Sequence, residues 1–153
     1  MQLSQNGWKF LADNEGCVLH PYLDGADIPT IGIGSTFYPN GVHVTMQDPT
    51  ITQAQAELYA KSEVINVENA VTAMVPATLN QNQIDSLIDF AYNEGTGALH
   101  GSTLLRLIKA NAADPNITAA FKMWDKLHVD GNLVFDQGLL DRRIREATLY
   151  FTR

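Results

Sequence analysis

The sequence predicts an α+β fold in which a short helix and a small antiparallel sheet precede a long helix and a helical bundle. Three observations predict it. Residues 20–45 run in short stretches broken by "HPY", "DGAD", "IP" and "YPNG", the punctuation of tight turns between strands. From Thr52 the apolar periodicity becomes helical and remains so, opened by two capping boxes, Thr52 with Gln55 and Asn80 with Gln83. The chain of 153 residues, 45% hydrophobic, can bury a proper core, and no internal repeat, low-complexity segment or flexible linker divides it.

In order along the chain, Ser4 caps a helix over about 5–15, where Trp8, Leu11 and Ala12 share one face and Gly16 ends the last turn. Glu15 therefore stands at the helix's C-terminal end. Within "TIGIG", alternation sends Ile31 and Ile33 to one face and Thr30, Gly32 and Gly34 to the other, nearly bare face. Glycines there suggest the close approach of a backbone or a ligand, or else a bend in the strand.

The next helix runs from Thr52 to Pro76 on a stripe of Leu58, Val64, Val67, Val71 and Met74. Its roughly 22 residues span about 33 Å, enough to bridge two lobes. Ile84, Leu87, Ile88 and Ala91 form the buried face of the following helix, which ends at "NEGTG". Further helices are expected at about 103–111, 117–127 and 139–151, with Asp114-Pro115 and Asp130-Gly131 as breaks.

Ten Lys plus Arg against seventeen Asp plus Glu give a net charge of −7 and a sequence pI near 4.8. Such a field repels phosphate backbones, so a nucleic-acid partner is not expected. No apolar run reaches the roughly 20 residues that span a bilayer, and the N-terminus has no signal-peptide pattern, so membrane insertion is not expected and synthesis in the cytoplasm is. A single cysteine, Cys17, excludes an intramolecular disulfide and reads as a small apolar filler. Six of the ten basic residues lie in the last 32 positions, as solvated helix faces or a local basic surface. "DGAD" and "DGN" lack the ligand count and spacing of a calcium loop, so no metal and no other cofactor is expected.

Glu15, Asp24 and Thr30 carry the chemistry. The helix's negative pole, with desolvation by neighbours such as Trp8 or Tyr22, favours a protonated Glu15, as a general acid requires. Asp24 sits in a turn beside Gly25 and is expected to be exposed and ionised. Two such carboxyls across a groove suit cleavage of a glycosidic bond, with Thr30 fixing a water. By spacing alone the signal is weak, since a pair nine residues apart is more often two ordinary surface carboxylates.

The surrounding residues add more. "NEG", eight residues between Glu15 and Asp24, five more to Thr30, and the "TIGIG" strand closely resemble the phage-type lysozymes, or endolysins, of glycoside hydrolase family 24. "LNQNQIDSLIDFAYNEG", "GSTLLRLI" and "GLLDRRIREATLY" extend the likeness over nearly the whole chain. The resemblance implies a lysozyme-like two-lobe fold: a sheet-bearing lobe at about 13–51, an interlobe helix at about 52–75, and a helical lobe at about 76–153 plus the N-terminal helix. It implies a monomer that hydrolyses the β-1,4 bond between N-acetylmuramic acid and N-acetylglucosamine in peptidoglycan glycan strands, acting on the wall after release or delivery.

By the same likeness Glu15 is the general acid, Asp24 its partner carboxylate and Thr30 the residue that orients the water. Inversion is implied, with carboxyls roughly 6.5–9.5 Å apart. Gly34 and Thr36 on the near wall, and Tyr92 and Asn93 on the far one, are expected to contact sugar, with Tyr92 alternatively a core residue; Arg142 and Arg143 either face the peptide stem's carboxylates or pack and pair within their own helix. Ser35 departs from the family, many of whose members have His there. A lytic transglycosylase would use Glu15 alone, and a non-catalytic glycan-binding or virion protein would keep the groove without turnover.

Overall fold

A computed structural model describes residues 1–129 and 131–152. The first helix, α1 (Gln5–Glu15), starts where the Ser4 hydroxyl accepts the Gly7 N–H at 3.0 Å, and stops at Gly16, whose φ of +70° costs a glycine little. Strands β1 (Val18–Leu23) and β2 (Pro29–Gly32) pair antiparallel, with Tyr22 opposite Thr30 and an irregularity between Val18 and Tyr22. Then comes α2 (Gln53–Met74), whose 22 residues and capping box match expectation. The bundle comprises α3 (Gln81–Glu94), α4 (Thr96–Gly101), α5 (Thr103–Ala110), α6 (Asn116–Lys122) and α7 (Gln137–Phe151), with a second hairpin, β3 (Lys126–Val129) and β4 (Asn132–Phe135), before α7.

Two hydrophobic clusters make the two lobes. The larger gathers Leu11, Val64, Val71, Ile84, Leu87, Ile88, Phe90 and the apolar residues of the later helices. The smaller holds Ile31, Ile33, Val44, Ile51, Ala56 and Ala60. Because α2 gives Ala56 and Ala60 to one and Val64 and Val71 to the other, it is the physical link between them. Trp8 packs against both. The helix α1 belongs with the bundle: Ser4 donates through its N–H and hydroxyl to the two carboxylate oxygens of Asp85 on α3.

Several expectations need correction. Leu58 is 58% exposed, and the buried line of α2 is Ala56, Ala60, Val64, Glu68 and Val71; small residues serve because the sheet lies close. In "TIGIG" the strand ends at Gly32 and the chain folds back, Ile31 and Ser35 exchanging backbone hydrogen bonds of 2.9 and 3.0 Å. Thr30, Ile31 and Ile33 are all buried, so neither face is bare. The helix expected at 117–127 ends at Lys122, and "KLHV" and "NLVF" form the second hairpin. Gly131, at the turn of this hairpin, has a φ of +79°, while its expected partner in the break, Asp130, lies outside the described residues, as does Arg153.

Gly32 lies close against α2. Its φ is +68°, and a Cβ there would stand 3.0 Å from Ala56 Cβ and 3.2 Å from Ala56 Cα. Gly32→Ala is expected to cost about 1–3 kcal/mol by forcing the sheet from α2. Thermal unfolding of the variant measures the loss.

Candidate active site

One cleft of about 410 Å³ between the lobes is lined by Glu15, Tyr22, Asp24, Gly25, Ala26, Thr30, Gly34, Thr36, Glu63, Val67, Tyr92, Asn93 and Leu127. Every residue expected at the site is there except Arg142, which lies behind Glu15 instead.

Glu15 is the last residue of α1, and its side chain is 15% exposed. Burial is the leading cause that raises its pKa; the Arg142 guanidinium, 2.7 Å from Oε1, opposes this, and Asp89 adds a smaller upward push. The net direction is upward, toward a carboxyl that keeps its proton. Across the cleft Asp24 is fixed by its own turn: Oδ1 accepts the N–H groups of Ala26 and Ile28 at 2.8 and 2.9 Å. That turn needs Asp27 at a φ of +59°, a conformation Asp tolerates better than most residues. Thr30 is 2% exposed and donates its hydroxyl proton to the Ile28 carbonyl at 3.0 Å. The lone pairs of Oγ1 are then what it offers a water in the cleft.

Gly34 is required by proximity to Glu15. A Cβ there would stand 2.9 Å from Oε2 and 3.5 Å from the Tyr92 ring, and its φ is +76°. Thr36 continues the same wall. The Tyr92 hydroxyl reaches the Ile33 carbonyl at 2.9 Å and Glu63 Oε2 at 3.1 Å, so the far wall is tied to the near one and to α2. Burial, then the neighbouring Glu63, pushes the Tyr92 hydroxyl's pKa well up. Asn93 gives its side-chain oxygen to Arg143 at 2.8 Å, leaving its amide N–H groups for a ligand.

Glu63 escaped the sequence reading. Burial raises its pKa; besides Tyr92 it accepts the Phe37 N–H at 3.4 Å. Nothing in "KSEV" distinguishes this glutamate from the solvated face of a helix. Tyr92→Phe removes its side-chain donor and is expected to cost about 1 kcal/mol, with a further rise in the Glu63 pKa. Denaturant unfolding and a side-chain carboxyl titration by NMR check the two effects.

Two arginines of α7, Arg142 and Arg143, are not solvated. Arg142 is 6% exposed and reaches Asp89 at 3.1 Å and Glu146 at 3.4 Å besides Glu15. Arg143 is fully buried, holds Glu94 at 2.6 Å and Glu146 at 2.5 Å, and lies over the Phe90 ring. Both arginines pair within their helix through Glu146, as one alternative had it, and also with carboxyls of α1 and α3 that the sequence reading did not foresee. Cys17 is exposed, not the apolar filler expected, with Sγ 3.3 Å from Gln53 Oε1. Among the described residues no group of three or more His, Cys, Asp or Glu could hold a metal ion, and no helix is long and apolar enough to cross a membrane.

A buried carboxyl whose pKa is pushed upward, lining the same interlobe cleft as an anchored surface carboxylate, suits the cleavage of a glycosidic bond. The phage lysozyme family model matches residues 12–146. An endolysin of Salmonella phage P22 is 37% identical over 99% of each chain. Among solved structures, an endolysin from Escherichia coli O157:H7 phage FAHEc1 superposes with a TM-score of 0.91 at 35% identity, covering 99% of this chain and 94% of that one. A P22 lysozyme variant superposes with a TM-score of 0.78 at 36% identity over 99% of both chains. The chain belongs to the phage lysozyme family.

Proposed function

We propose that this muramidase hydrolyses the β-1,4 bond between N-acetylmuramic acid and N-acetylglucosamine with Glu15 as general acid, Asp24 as general base and Thr30 as the group that orients the water. As a phage lysozyme the protein is a glycoside hydrolase that degrades peptidoglycan. The observation that carries the residue roles is the contrast between a desolvated Glu15 and an Asp24 anchored in a surface turn, both lining one cleft.

Glu15 delivers its proton to the departing glycosidic oxygen as the C–O bond breaks. A water on the opposite face of the sugar, hydrogen-bonded to Thr30 Oγ1, attacks the anomeric carbon and passes a proton to Asp24. The product's configuration is inverted, and the acid regains its proton from solvent. Gly34, Thr36, Tyr92 and Asn93 line the path of the glycan, the first because any side chain there would displace the acid. The protein acts as a monomer, made in the cytoplasm of an infected bacterium and meeting its substrate once it gains access to the wall.

Digestion of purified peptidoglycan with product ends read by mass spectrometry tests the reaction. Reducing muramic ends are expected, with the α-anomer first in NMR spectra taken before mutarotation. Anhydro-muramic ends would overturn the reading in favour of a transglycosylase, and a first-formed β-anomer would overturn inversion.

A further inference from the structure

The cleft is crossed by two bridges between the lobes. Tyr92 makes the first, its hydroxyl reaching the Ile33 carbonyl at 2.9 Å and Glu63 Oε2 at 3.1 Å. Leu127 of β3 makes the second: its Cδ1 lies 3.8 Å from where a Cβ on Gly25 would stand, and both residues line the cleft with Asp24. While both bridges stay closed, a polymer lying between them can enter or leave only lengthwise.

The bridges differ in how they are held. Tyr92 sits on α3 in the bundle, whereas Leu127 belongs to a hairpin whose other strand residues are all exposed and along which no other element packs. Only the base of that hairpin is anchored: the Asp136 N–H donates to the Asp125 carbonyl at 2.8 Å, and the Trp124 ring stands edge-on to Phe90 at 5.5 Å. Alternation along β3 turns Leu127 toward the cleft and Lys126 and His128 to the opposite face, where Leu133 is the cross-strand partner of His128. That opposite face is not packed on the bundle. A second cavity of about 460 Å³ lies between Lys126, His128 and Leu133 on the hairpin and Glu94 and Thr103 on the helices. The hairpin is therefore a partition with a cavity on either face, free to tilt back without displacing packed side chains.

Resting on the cleft as the path of the glycan, we propose that the β3–β4 hairpin is a strap that closes the cleft through Leu127 on Gly25 and lifts to admit the interior of a glycan strand, so that Leu127 sets the preference between long strands and short fragments. A short soluble fragment threads lengthwise beneath the strap. The interior of a long, cross-linked strand has no free end at hand and enters only from the side, which requires the second bridge to open. Leucine against glycine is a small apolar contact with no hydrogen bond to break, whereas opening at Tyr92 would break two. The hairpin is thus the part that yields, and the lobes keep their places on α2.

Two measurements test the strap. The first compares kcat/KM on intact peptidoglycan sacculi with kcat/KM on soluble tetrasaccharide fragments. Leu127→Ala is expected to raise that ratio by about threefold or more, and Leu127→Phe, which enlarges the contact, to lower it. If both variants lose activity equally on the two substrates, Leu127 is an ordinary wall of the cleft and the proposal fails; an unchanged ratio overturns it as well. The second measurement places nitroxide pairs on Glu15→Gln, Cys17→Ser protein, at His20→Cys with Val129→Cys and at His20→Cys with Lys109→Cys, all exposed positions. Solubilised glycan strands are expected to lengthen the first distance and leave the second as it was. Lengthening of both would mean that the lobes move as bodies, and no change in either would mean that nothing lifts; each overturns the strap. A wild type inert on both substrates would defeat the proposed reaction instead, leaving the distances to decide the strap.

Discussion

Glu15→Gln is expected to lower the rate of glycan hydrolysis by about 10²–10⁴-fold while leaving the protein folded. The amide keeps the shape of the acid in its place beside Arg142 and Gly34 but has no proton to give a leaving oxygen. Stability should move the other way. Burial raises the Glu15 pKa in the folded chain, so the stabilisation that goes with its protonated form is fully present below the ordinary glutamate value and is lost as pH rises through the folded-state value. Glutamine stays neutral throughout that window, and the variant should therefore gain on the wild type as pH rises across it. Product release and Tm, measured on the same samples over a pH series, check both signs; a variant with wild-type turnover would remove Glu15 from the reaction.

Arg142→Met carries the largest expected loss of stability. The guanidinium lies within 3.4 Å of three carboxyl groups, and removing it leaves Glu15, Asp89 and Glu146 without their shared cation. Breaking a buried arrangement of this kind costs about 3–5 kcal/mol. Lysine is not expected to restore it, since a single ammonium cannot reach along the fork that spans Nε to Asp89 and the terminal nitrogen to Glu15. At Glu15 the one large influence that lowers its pKa would vanish, so the alkaline limb of activity should shift upward. Unfolding curves and a pH–rate profile report the two consequences; an unchanged Tm would mean that the carboxyls repack around protons at no cost.

What can be read from the chain alone is local. Ser4, Gly16 and the two capping boxes depend on neighbours within a few residues, and α1, α2 and α3 accordingly fall where the sequence places them. Glu15, Asp24 and Thr30 are spaced by one helix end and one hairpin, so their convergence is legible too. Glu63 is not, because it becomes a cleft residue only when Tyr92, 29 positions later, folds over it. The inward turn of Arg142 and Arg143 is equally hidden: charged residues on an amphipathic helix look solvated until the acids of α3 arrive opposite them. The hairpin after α6 escapes notice because its strands are four residues each and β4 is exposed throughout, giving no alternation to detect.

The seating of α1 against α3 and α7 sets an order of events during synthesis. The helix bearing Glu15, the proposed acid, leaves the ribosome well ahead of α7, yet Asn14 waits for Arg145, 131 residues later, and Glu15 for Arg142. A nascent chain therefore carries its acid long before the cation that governs it exists, and the sheet-bearing hairpin can form while the cleft's inner wall is still unmade. A chain cut short of α7 lacks both arginines that seat the end of α1 and is expected to leave Glu15 unheld.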